Sequence, residues 1–408
     1  MTKVYASERN RKIAEKSKET RQRRTVQECK TFALKITHNK LKTTQKEALT
    51  RSFLEAKWYK NHILNEENIN KISTKKLSSV PVKTKEGIFE NRELNYLGSH
   101  QQQSILQQTK NDLKGLSALK KKGKRVGKLK YCKQINSIDL KQYGTTYKFN
   151  NSFTKVKISG LPGWYRFNGG QQLTGYEIAN AKLVQKPSGY YLIVTCFKNK
   201  KEIEKTYQSG TEIGIDMGVK THITLSNGEK INTLIGETER LKRLQKKSSR
   251  QVKGSNNYRK TLHLINKQYE KMGNKKNNNA NKLVHKLLKY ETIYLQDESL
   301  SAWRSKHGYA KSGKRLQHSI LGRVKAKLAA HERVVVLPKW VATTQSCRGE
   351  NCKKLNKHGL NDRVYSCNSC GYSFDRDVHA ALNMVSLGTD FKEPLPAGCG
   401  DVKLVEIV

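Results

Sequence analysis

The sequence predicts a multidomain α+β protein, and three features of the chain support this. Helical spacing of apolar residues fills residues 41–120, between one early strand-like stretch and a later series of short β segments. After residue 210 the predicted order is three strands, a helix, a strand, a helix, a strand, a cysteine cluster and a final helix. Four of the eight cysteines fall between Cys347 and Cys370. A length of 408 residues agrees with two or three domains at roughly 150 residues each.

The composition points to a polyanionic partner. The chain has 80 Lys and Arg against 34 Asp and Glu, a net charge of +46. Such a charge repels itself unless a polyanion neutralises it, and nucleic acid is the obvious candidate. No apolar run approaches the roughly 18 residues of a membrane span, and the basic N-terminus lacks the apolar core of a signal peptide. A basic membrane-surface protein would need a strongly amphipathic anchor helix, which the sequence does not offer. We therefore expect a protein of the prokaryotic cytoplasm that binds nucleic acid and no membrane.

The first half of the chain divides into four predicted segments. Residues 1–28 carry nine Lys and Arg and almost no apolar periodicity, which predicts a basic arm that is disordered or becomes helical only on RNA or DNA. Residues 29–38 are predicted to form a strand, residues 39–125 a helical domain that ends in a basic linker, and residues 126–208 a β domain. The helical domain is therefore predicted to be inserted between one early strand and a later β domain.

The second half is predicted to be an RNase H-like α/β domain, because its elements follow the order of that fold with a cysteine module inserted late. Its first part spans 209–340, the cysteine insert 341–374, and the last part with the C-terminal tail 375–408. Predicted helices cover about 236–290, with breaks near 254–257 and 277–279, then about 317–331 and 376–386.

Three carboxylates stand at the ends of predicted elements in this domain: Asp216, Glu298 and Asp377. Two-metal phosphodiester hydrolysis needs carboxylates that converge on Mg²⁺ ions, and Mg²⁺ prefers hard oxygen ligands. Asp216 lies in an apolar strand, where a carboxylate is costly to bury unless it is paired or bound to a metal. We therefore predict that the three acids are catalytic and bind two Mg²⁺ ions.

Each of these acids also has an ordinary explanation as a turn residue, a solvated strand end or a helix N-cap. Asp297 and Asp375 are neighbouring candidates for the same roles. Strand alternation puts Asp297 and Glu298 on opposite faces, so only one of them should face the metals. The presence of all three acids in this order, beside a cysteine cluster in so basic a chain, favours the metal site.

The clustered cysteines predict one structural Zn²⁺ ion. Cys347 and Cys352 are separated by four residues, Cys367 and Cys370 by two, and the two pairs by fourteen. Four thiolates at such spacing are typical of a closed tetrahedral site of the ribbon type, which is structural and not catalytic. The other cysteines are scattered and are predicted to be small buried hydrophobic residues: Cys29, Cys132, Cys196 and Cys399.

Two basic stretches are predicted to contact phosphate groups. Between residues 240 and 276 the only acid is Glu270, whereas a merely solvated helix face usually mixes signs. Such contacts position a nucleic acid without reading its sequence. The residues predicted to make them are Lys120, Lys121, Lys122, Lys124, Arg125, Arg240, Arg243, Lys247 and Arg250.

Taken together, these motifs resemble the TnpB family of transposon-encoded RNA-guided nucleases and its relatives, the compact type V CRISPR effectors. The resemblance rests on Gly214–Gly218 (Gly-Ile-Asp-Met-Gly), Asp297–Leu300 (Asp-Glu-Ser-Leu), the paired cysteines and Asp375–Ala381 (Asp-Arg-Asp-Val-His-Ala-Ala). It implies a wedge β-barrel interrupted by a helical recognition domain, then a RuvC nuclease domain with an inserted zinc-binding module. The RuvC carboxylates of the family carry over to Asp216, Glu298 and Asp377. His379 stands where the family commonly has Asn, and we expect it on the helix surface rather than in contact with the scissile phosphate.

The expected function is that of an RNA-guided, Mg²⁺-dependent DNA endonuclease. Its implied partners are a guide RNA and a target double-stranded DNA, which form an RNA–DNA heteroduplex next to a short flanking motif. The guide would be a transposon-end transcript (omega RNA) or, if the chain is a CRISPR-associated effector, a crRNA. A cleavage-silent RNA-guided repressor is an alternative, which the three intact acids disfavour. A plain transposase is a further alternative, but the sequence lacks the strand-joining tyrosine arrangement with its metal-binding histidines.

Overall fold

The computed structural model describes residues 2–66, 68–84, 86–202, 207–304, 313–352, 354–359 and 362–389. The chain divides into two units, Met1–Glu204 and Lys205–Val408. Helices and strands occur in both, so the predicted α+β class is confirmed. Cys399 lies outside the described residues.

The first unit is built on a four-stranded sheet in the order β1-β9-β8-β4. Its helices and strands are α1 (Thr2–Thr25), β1 (Gln27–Lys35), α2 (Thr43–Asn65), β2 (Ser79–Lys83), β3 (Phe89–Glu93), α3 (Ser99–Lys121), β4 (Ser137–Leu140), β5 (Tyr147–Phe149), β6 (Lys155–Ile158), β7 (Tyr165–Arg166), β8 (Glu177–Lys186) and β9 (Gly189–Asn199). β1 pairs with β9 along its whole length in antiparallel register. The chain therefore leaves this sheet after β1 and returns to it only with β4.

One core serves both the helices and the strands of this unit. Tyr190, Leu192 and Val194 alternate along β9 and are buried, as expected for a strand with one face in the core. Leu49 and Phe53, one helical turn apart on α2, are buried in the same cluster.

The predicted closed barrel is wrong for the part of this unit that the structure describes. Its strands form the four-stranded sheet, a separate three-stranded sheet, β5-β6-β7, and a two-stranded sheet, β2-β3. An isolated antiparallel bridge between Ile36 and Phe167 connects the four-stranded sheet with the three-stranded one. Because β7 is only two residues long, that connection is an isolated bridge and does not extend into a continuous ladder.

The basic N-terminal segment, predicted to be disordered or to become helical only on RNA or DNA, is a helix, α1. Its C-terminal end is anchored to β8, since Arg23 and Arg24 each place a guanidinium nitrogen 2.9 Å from Glu177 Oε1. The Arg24 guanidinium also lies 3.4 Å from the centre of the Phe197 ring. These contacts fix the last turn of α1 where the chain enters β1.

Two further details of the first unit differ from the sequence prediction. The strands β2 and β3 form an antiparallel hairpin inside the region predicted to be entirely helical. Among the scattered cysteines, Cys196 is buried as predicted, whereas Cys132 is half-buried and Cys29 is exposed.

The second unit contains a five-stranded sheet in the order β12-β11-β10-β13-β14. Its elements are β10 (Gln208–Met217), β11 (Ile223–Leu225), β12 (Lys230–Ile231), α4 (Glu239–Ser249), α5 (Asn256–Leu287), β13 (Tyr290–Gln296), α6 (Gly313–His318), α7 (Leu321–Ala329), β14 (Val334–Leu337), β15 (Val364–Ser366), β16 (Ser373–Asp375) and α8 (Arg376–Gly388). The first three strands are antiparallel, while β13 runs parallel to both β10 and β14. The carboxyl ends of β10, β13 and β14 therefore share one edge of the sheet.

The helices of this unit confirm one predicted break and correct another. The break near 254–257 is confirmed, because Ser255 caps α5 by accepting from the Tyr258 amide. The predicted break near 277–279 is wrong, and α5 continues because Lys276 and Ala280 are buried on one face, where Lys276 Nζ donates to the Gln317 carbonyl at 2.7 Å. None of the helices in the described part of the chain combines the length and the apolar character needed to cross a membrane.

Candidate functional site

Asp216 lies near the carboxyl end of β10, in the middle of the five-stranded sheet. Ile213 and Ile215 before it are buried, and Asp216 itself is half-buried. It pairs with Thr224 of β11, and its neighbour Ile215 pairs with Leu295 of the parallel strand β13. This register brings the end of β13 directly beside Asp216.

The chain turns sharply after β13, and the turn separates the two acids that follow it. The Glu298 amide donates to the Gln296 carbonyl at 2.8 Å. Asp297 is 69% exposed and accepts from Lys325 Nζ at 2.9 Å. Glu298 is half-buried, and its negative charge acts on Asp216. Only one of these two acids was expected to face the metals. The surroundings of Glu298, and not those of Asp297, agree with that role.

Gln296, the last residue of β13, has a structural role. Its side-chain nitrogen donates to the Val341 carbonyl at 2.7 Å, and its oxygen accepts from the Thr343 hydroxyl at 3.1 Å. The nitrogen and the oxygen of the buried Gln296 side chain are thus both hydrogen-bonded to the segment after β14, which they hold in place.

Asp375 and Asp377 flank the start of α8 and have different surroundings. Asp375 is the N-cap residue of α8, accepting from the amides of Asp377 and Val378. It also accepts from Lys230 Nζ at 2.6 Å. Burial raises the pKa of Asp375, but the hydrogen bonds from Lys230 and from the helix amides outweigh burial and lower the pKa overall. Asp377, in the first turn, is half-buried and acts electrostatically on Asp216.

The charges of Glu298 and Asp377 both act on Asp216, and the pKa of Asp216 reflects this effect together with burial. Burial raises this pKa most, and repulsion from the carboxylates of Asp377 and Glu298 raises it further, to about 7. The positive charge of Arg376 and a backbone hydrogen bond from Met217 lower it but do not cancel these effects. A cluster of carboxylate oxygens that repel one another is a donor set suited to a hard divalent cation such as Mg²⁺.

Two glycines, whose packing role was not predicted from the sequence, allow α8 to approach the sheet. A Cβ atom on Gly214 would lie 1.9 Å from the Ala381 carbonyl oxygen, and one on Gly388 would lie 2.3 Å from the Tyr294 ring. The helix backbone therefore lies directly on β10 and β13. Gly214 is a glycine inside a buried strand, two residues from Asp216. A glycine at such a position is the sequence signal that another backbone approaches closely.

The four clustered cysteines form a potential metal-binding site. Their sulfur atoms all lie within 4.8 Å of one another. Cys347 Sγ is 3.5 Å from Cys370 Sγ, and Cys352 Sγ is 3.7 Å from Cys367 Sγ. In a tetrahedral zinc site with Zn–S bonds of about 2.3 Å, the sulfur atoms lie roughly 3.8 Å apart. The cluster therefore has dimensions that fit one Zn²⁺ ion.

The backbone around the cysteines also favours thiolates. Hydrogen bonds from the amides of Ser369 and Cys370 lower the pKa of Cys367 to about 6. The Gly349 amide lies 3.2 Å from Cys347 Sγ, to which it donates. A Cβ on Gly349 would lie 2.7 Å from Cys370 Sγ, so only glycine leaves room for this arrangement.

His379 is fully buried, and its predicted position on the helix surface is wrong. Its ring stacks on the Tyr365 ring, with centroids 3.8 Å apart and an interplanar angle of 16°. Its Nε2 lies 2.8 Å from the Ser346 carbonyl oxygen. The physical reason is that the cysteine module packs over this face of α8, which the sequence pattern did not reveal.

The residues predicted to contact nucleic acid are all exposed. Lys120 and Lys121 lie in the last turn of α3, and the basic segment continues to Arg125 beyond it. Arg240, Arg243 and Lys247 recur at helical spacing along α4, followed by Arg250 at its C-cap. Their contact with nucleic acid stays a prediction.

Comparison with known families gives two matches within this chain. Residues 194–293 match the family OrfB_IS605, described as "Probable transposase". Residues 318–384 match the Cas12f1-like TNB domain. The first range contains Asp216, and the second contains the four cysteines and Asp377.

Two curated proteins are similar in sequence. A protein of Escherichia coli (strain K12) named "Putative RNA-guided DNA endonuclease InsQ" is 26% identical over 276 residues, which cover 61% of this chain and 66% of that protein. A "Putative RNA-guided DNA endonuclease" of Streptomyces pristinaespiralis is 28% identical over 201 residues, which cover 46% of this chain and 47% of that protein. The matched part of this chain thus spans between about half and two thirds of these relatives.

Two solved structures are also similar, each with 14% sequence identity. The Cas12f1–sgRNA–target DNA complex aligns with a TM-score of 0.40, over 69% of this chain and 70% of that one. The CRISPR–Cas12f ternary complex aligns with a TM-score of 0.29, over 71% of this chain and 70% of that one.

The two family matches describe a transposase-related protein with a Cas12f1-like cysteine module. With the two curated relatives, they support the resemblance to TnpB-like proteins that was found in the sequence.

Proposed function

We propose that this protein is an RNA-guided DNA endonuclease with a RuvC-type active site formed by Asp216, Glu298 and Asp377. The observation that supports it best is that Glu298 and Asp377 act electrostatically on Asp216 near the carboxyl end of β10, where burial and their repulsion raise the pKa of Asp216. The strand order β12-β11-β10-β13-β14, with α8 on the sheet, agrees with the RNase H-like fold expected for such a nuclease.

The three acids would hold two Mg²⁺ ions, and when bound these ions would activate water and stabilise the leaving oxygen. The protein supplies the geometry. Asp216 is held by its pairing with β11, Glu298 by the turn after β13, and Asp377 by the first turn of α8. Asp375 caps α8 and pairs with Lys230, so we assign it a supporting role.

The cysteine module would hold one structural Zn²⁺ ion through Cys347, Cys352, Cys367 and Cys370. Four thiolates leave no open position on the ion, so it would stabilise the module and take no part in hydrolysis. In the TnpB-like arrangement this module is the target-nucleic-acid-binding insert, residues 341–374, within a nuclease domain of residues 209–340 and 375–408.

The proposed partners are a guide RNA and a target DNA, as the names of the two curated relatives suggest. Base pairing with the guide would select the target sequence, while the protein would recognise a short flanking motif. The net charge of +46 suits a stably bound RNA, and the exposed basic residues of α3 and α4 would contact phosphates. The wedge (29–38 and 126–208) and recognition (39–125) segments would read the flanking motif, and the basic N-terminal segment of residues 1–28 would add phosphate contacts. We place the protein in the prokaryotic cytoplasm, where these partners are found.

The test is to purify the protein with its RNA, sequence that RNA and measure cleavage of a DNA that matches it. We expect Mg²⁺-dependent cleavage that Asp216→Ala reduces by about 10³-fold or more, because loss of a metal ligand costs several kcal/mol in the transition state. Asp297→Asn is the matched control, since this neighbouring carboxylate is exposed and paired with Lys325, and it should leave the rate unchanged.

The same experiment separates the alternatives. A repeat-derived RNA would identify a CRISPR effector, whereas a transposon-end transcript would identify a transposon-encoded nuclease. Guided binding without cleavage, with all three acids intact, would favour the repressor. Wild-type cleavage by Asp216→Ala would refute the proposed active site.

A further inference from the structure

The helix α8 uses two of its faces for two different neighbours. Toward the sheet it presents Ala381, whose carbonyl approaches Gly214, and Gly388, which meets the Tyr294 ring. Toward the cysteine module it presents His379 and Asn383, which are four residues apart and so lie on one face. Asp377 stands in the first turn of the same helix, so its position depends on both sets of contacts.

The contacts of His379 with the module are specific. Its ring is 0% exposed and stacks on Tyr365 at 3.8 Å. His379 Nε2 lies 2.8 Å from the Ser346 carbonyl oxygen and 3.0 Å from Asn383 Nδ2, and its role as donor or acceptor depends on the tautomer. One turn later, Asn383 Nδ2 donates to the carbonyls of Thr343 and Ser346 at 2.7 and 2.8 Å.

Tyr365 connects His379 to the cysteine cluster. It is fully buried in the small core that also contains Cys347 and Cys367. Asn356 Nδ2 donates to the Tyr365 hydroxyl at 3.1 Å and lies 3.3 Å from Cys367 Sγ. A continuous set of contacts therefore runs from a cluster sulfur through Asn356, Tyr365 and His379 to α8.

Arg376 adds a second connection at the start of the helix. Its guanidinium donates to the carbonyls of Gly359 and Asp362, and its amide donates to the Arg363 carbonyl at 2.9 Å. The first turn of α8, which carries Asp377, is thus held by the cysteine module on one side and by the sheet on the other.

We propose that His379 is a positioning residue that couples the cysteine module to the divalent-cation site. It fixes the first turn of α8 against Tyr365 and Ser346, and so holds Asp377 where it shares a cation with Asp216 and Glu298. The inference rests on the proposed function, because it assumes that these acids bind a divalent cation.

The experiment measures Mn²⁺ binding to the full-length protein, free of nucleic acid, by titration calorimetry and by electron paramagnetic resonance. Zinc content is measured in parallel. We expect His379→Ala to retain its zinc and to bind Mn²⁺ about tenfold more weakly than the wild type. Its cleavage rate constant should fall while its affinity for target DNA stays unchanged. His379→Phe, which can keep the ring stacking, should recover part of the Mn²⁺ affinity.

His358→Ala is the matched control. The His358 ring also contacts Tyr365, edge-on at 4.8 Å and 61°, but it is not on α8. This variant should bind Mn²⁺ and zinc as the wild type does. If His358→Ala weakened Mn²⁺ binding as much as His379→Ala, the coupling would not run through His379.

Asp377→Asn separates failure of this inference from failure of the proposed function. Wild-type Mn²⁺ affinity in zinc-loaded His379→Ala, with weak binding in Asp377→Asn, would overturn the coupling alone. Wild-type affinity in Asp377→Asn would show that the acids are not the cation site, and would overturn both proposals. If His379→Ala loses its zinc, the Mn²⁺ affinities of zinc-loaded His379→Phe and His379→Gln are compared with those of the wild type and Asp377→Asn instead. Wild-type affinity in both would overturn the coupling.

Discussion

At the scale of single residues, the second unit contains carboxylates with three different kinds of surroundings. Asp297 is exposed beside a lysine, Asp375 caps a helix, and Asp216 is half-buried next to two other acids. The first two have partners that stabilise their charge. For Asp216, burial and repulsion from the neighbouring acids favour the neutral form of the carboxyl when no cation is bound.

Removing the charge of Asp216 should therefore stabilise the metal-free protein. Its pKa is raised from 3.8 to about 7 in the folded state, so between about pH 4 and 7 the folded chain holds a proton that the unfolded chain has released. The contribution of Asp216 to stability then falls as the pH rises through this window. In EDTA, Asp216→Asn should melt at a higher temperature than the wild type at pH 8, and the difference should shrink toward pH 5.

Thermal melts with added Mg²⁺ complete that test. The cation should raise the melting temperature of the wild type and not that of Asp216→Asn, because ligand binding stabilises only the form that binds it. Asp297→Asn should respond to Mg²⁺ as the wild type does. A variant Asp216→Asn that melts lower than the wild type at pH 8 in EDTA would contradict the assignment.

At the scale of elements, the packing of α8 on β10 places Asp377 beside Asp216. The approach is close because Gly214 has no side chain, and a Cβ there would overlap the Ala381 carbonyl. No rotamer change relieves a clash with backbone, so the helix itself would have to move. The position of Asp377 thus depends on the absence of a side chain at Gly214, two residues before Asp216.

Gly214→Ala should separate the two elements. We expect a loss of about 1–3 kcal/mol in the free energy of unfolding, as is usual for overpacking, together with weakened Mn²⁺ binding. Denaturant unfolding and Mn²⁺ titration measure the two effects. Gly236→Ala in the same unit is the control, since a Cβ there meets nothing within 4 Å. Unchanged Mn²⁺ affinity in Gly214→Ala would show that α8 packing does not set the position of Asp377.

Several elements could be predicted from local sequence and others could not. The strand Val334–Leu337 corresponds to a short apolar run between polar residues, which is a local signal. The break predicted at residues 277–279 is overridden by packing around Lys276 and Ala280, and the hairpin of β2 and β3 is stabilised by cross-strand pairing that no local window contains. His379 was misplaced for a similar reason, because its partner Tyr365 is supplied by another element.

At the scale of the whole molecule, the charge of +46 is distributed over both units. The exposed basic residues of α4 recur on one side of the helix, whereas Lys242 is already paired with Glu239 at 2.8 Å. Phosphate contacts release counterions, so each contributes to the salt dependence of binding.

Substitution of Arg240, Arg243, Lys247 and Arg250 by Gln should reduce that salt dependence. For a short labelled single-stranded RNA, the slope of log affinity against log salt should become shallower by up to about three, at roughly 0.7 for each phosphate that is no longer neutralised. Fluorescence anisotropy between low and moderate salt measures the slope. The control Lys242→Gln with Lys246→Gln, on another side of α4, should change it by less than about one. An unchanged slope in the fourfold variant would remove α4 from the nucleic-acid interface.

The sequence by itself determined the chemistry available to this protein: the three acids in their order, the two cysteine pairs and the large positive charge. It also determined most local elements, because apolar periodicity and caps act within a few residues. Only the tertiary structure decided which acids meet, since that depends on the parallel pairing of β10 with β13 and on the packing of α8 at Gly214. It also decided that His379 is buried against the cysteine module, because burial depends on contacts between residues distant in the chain.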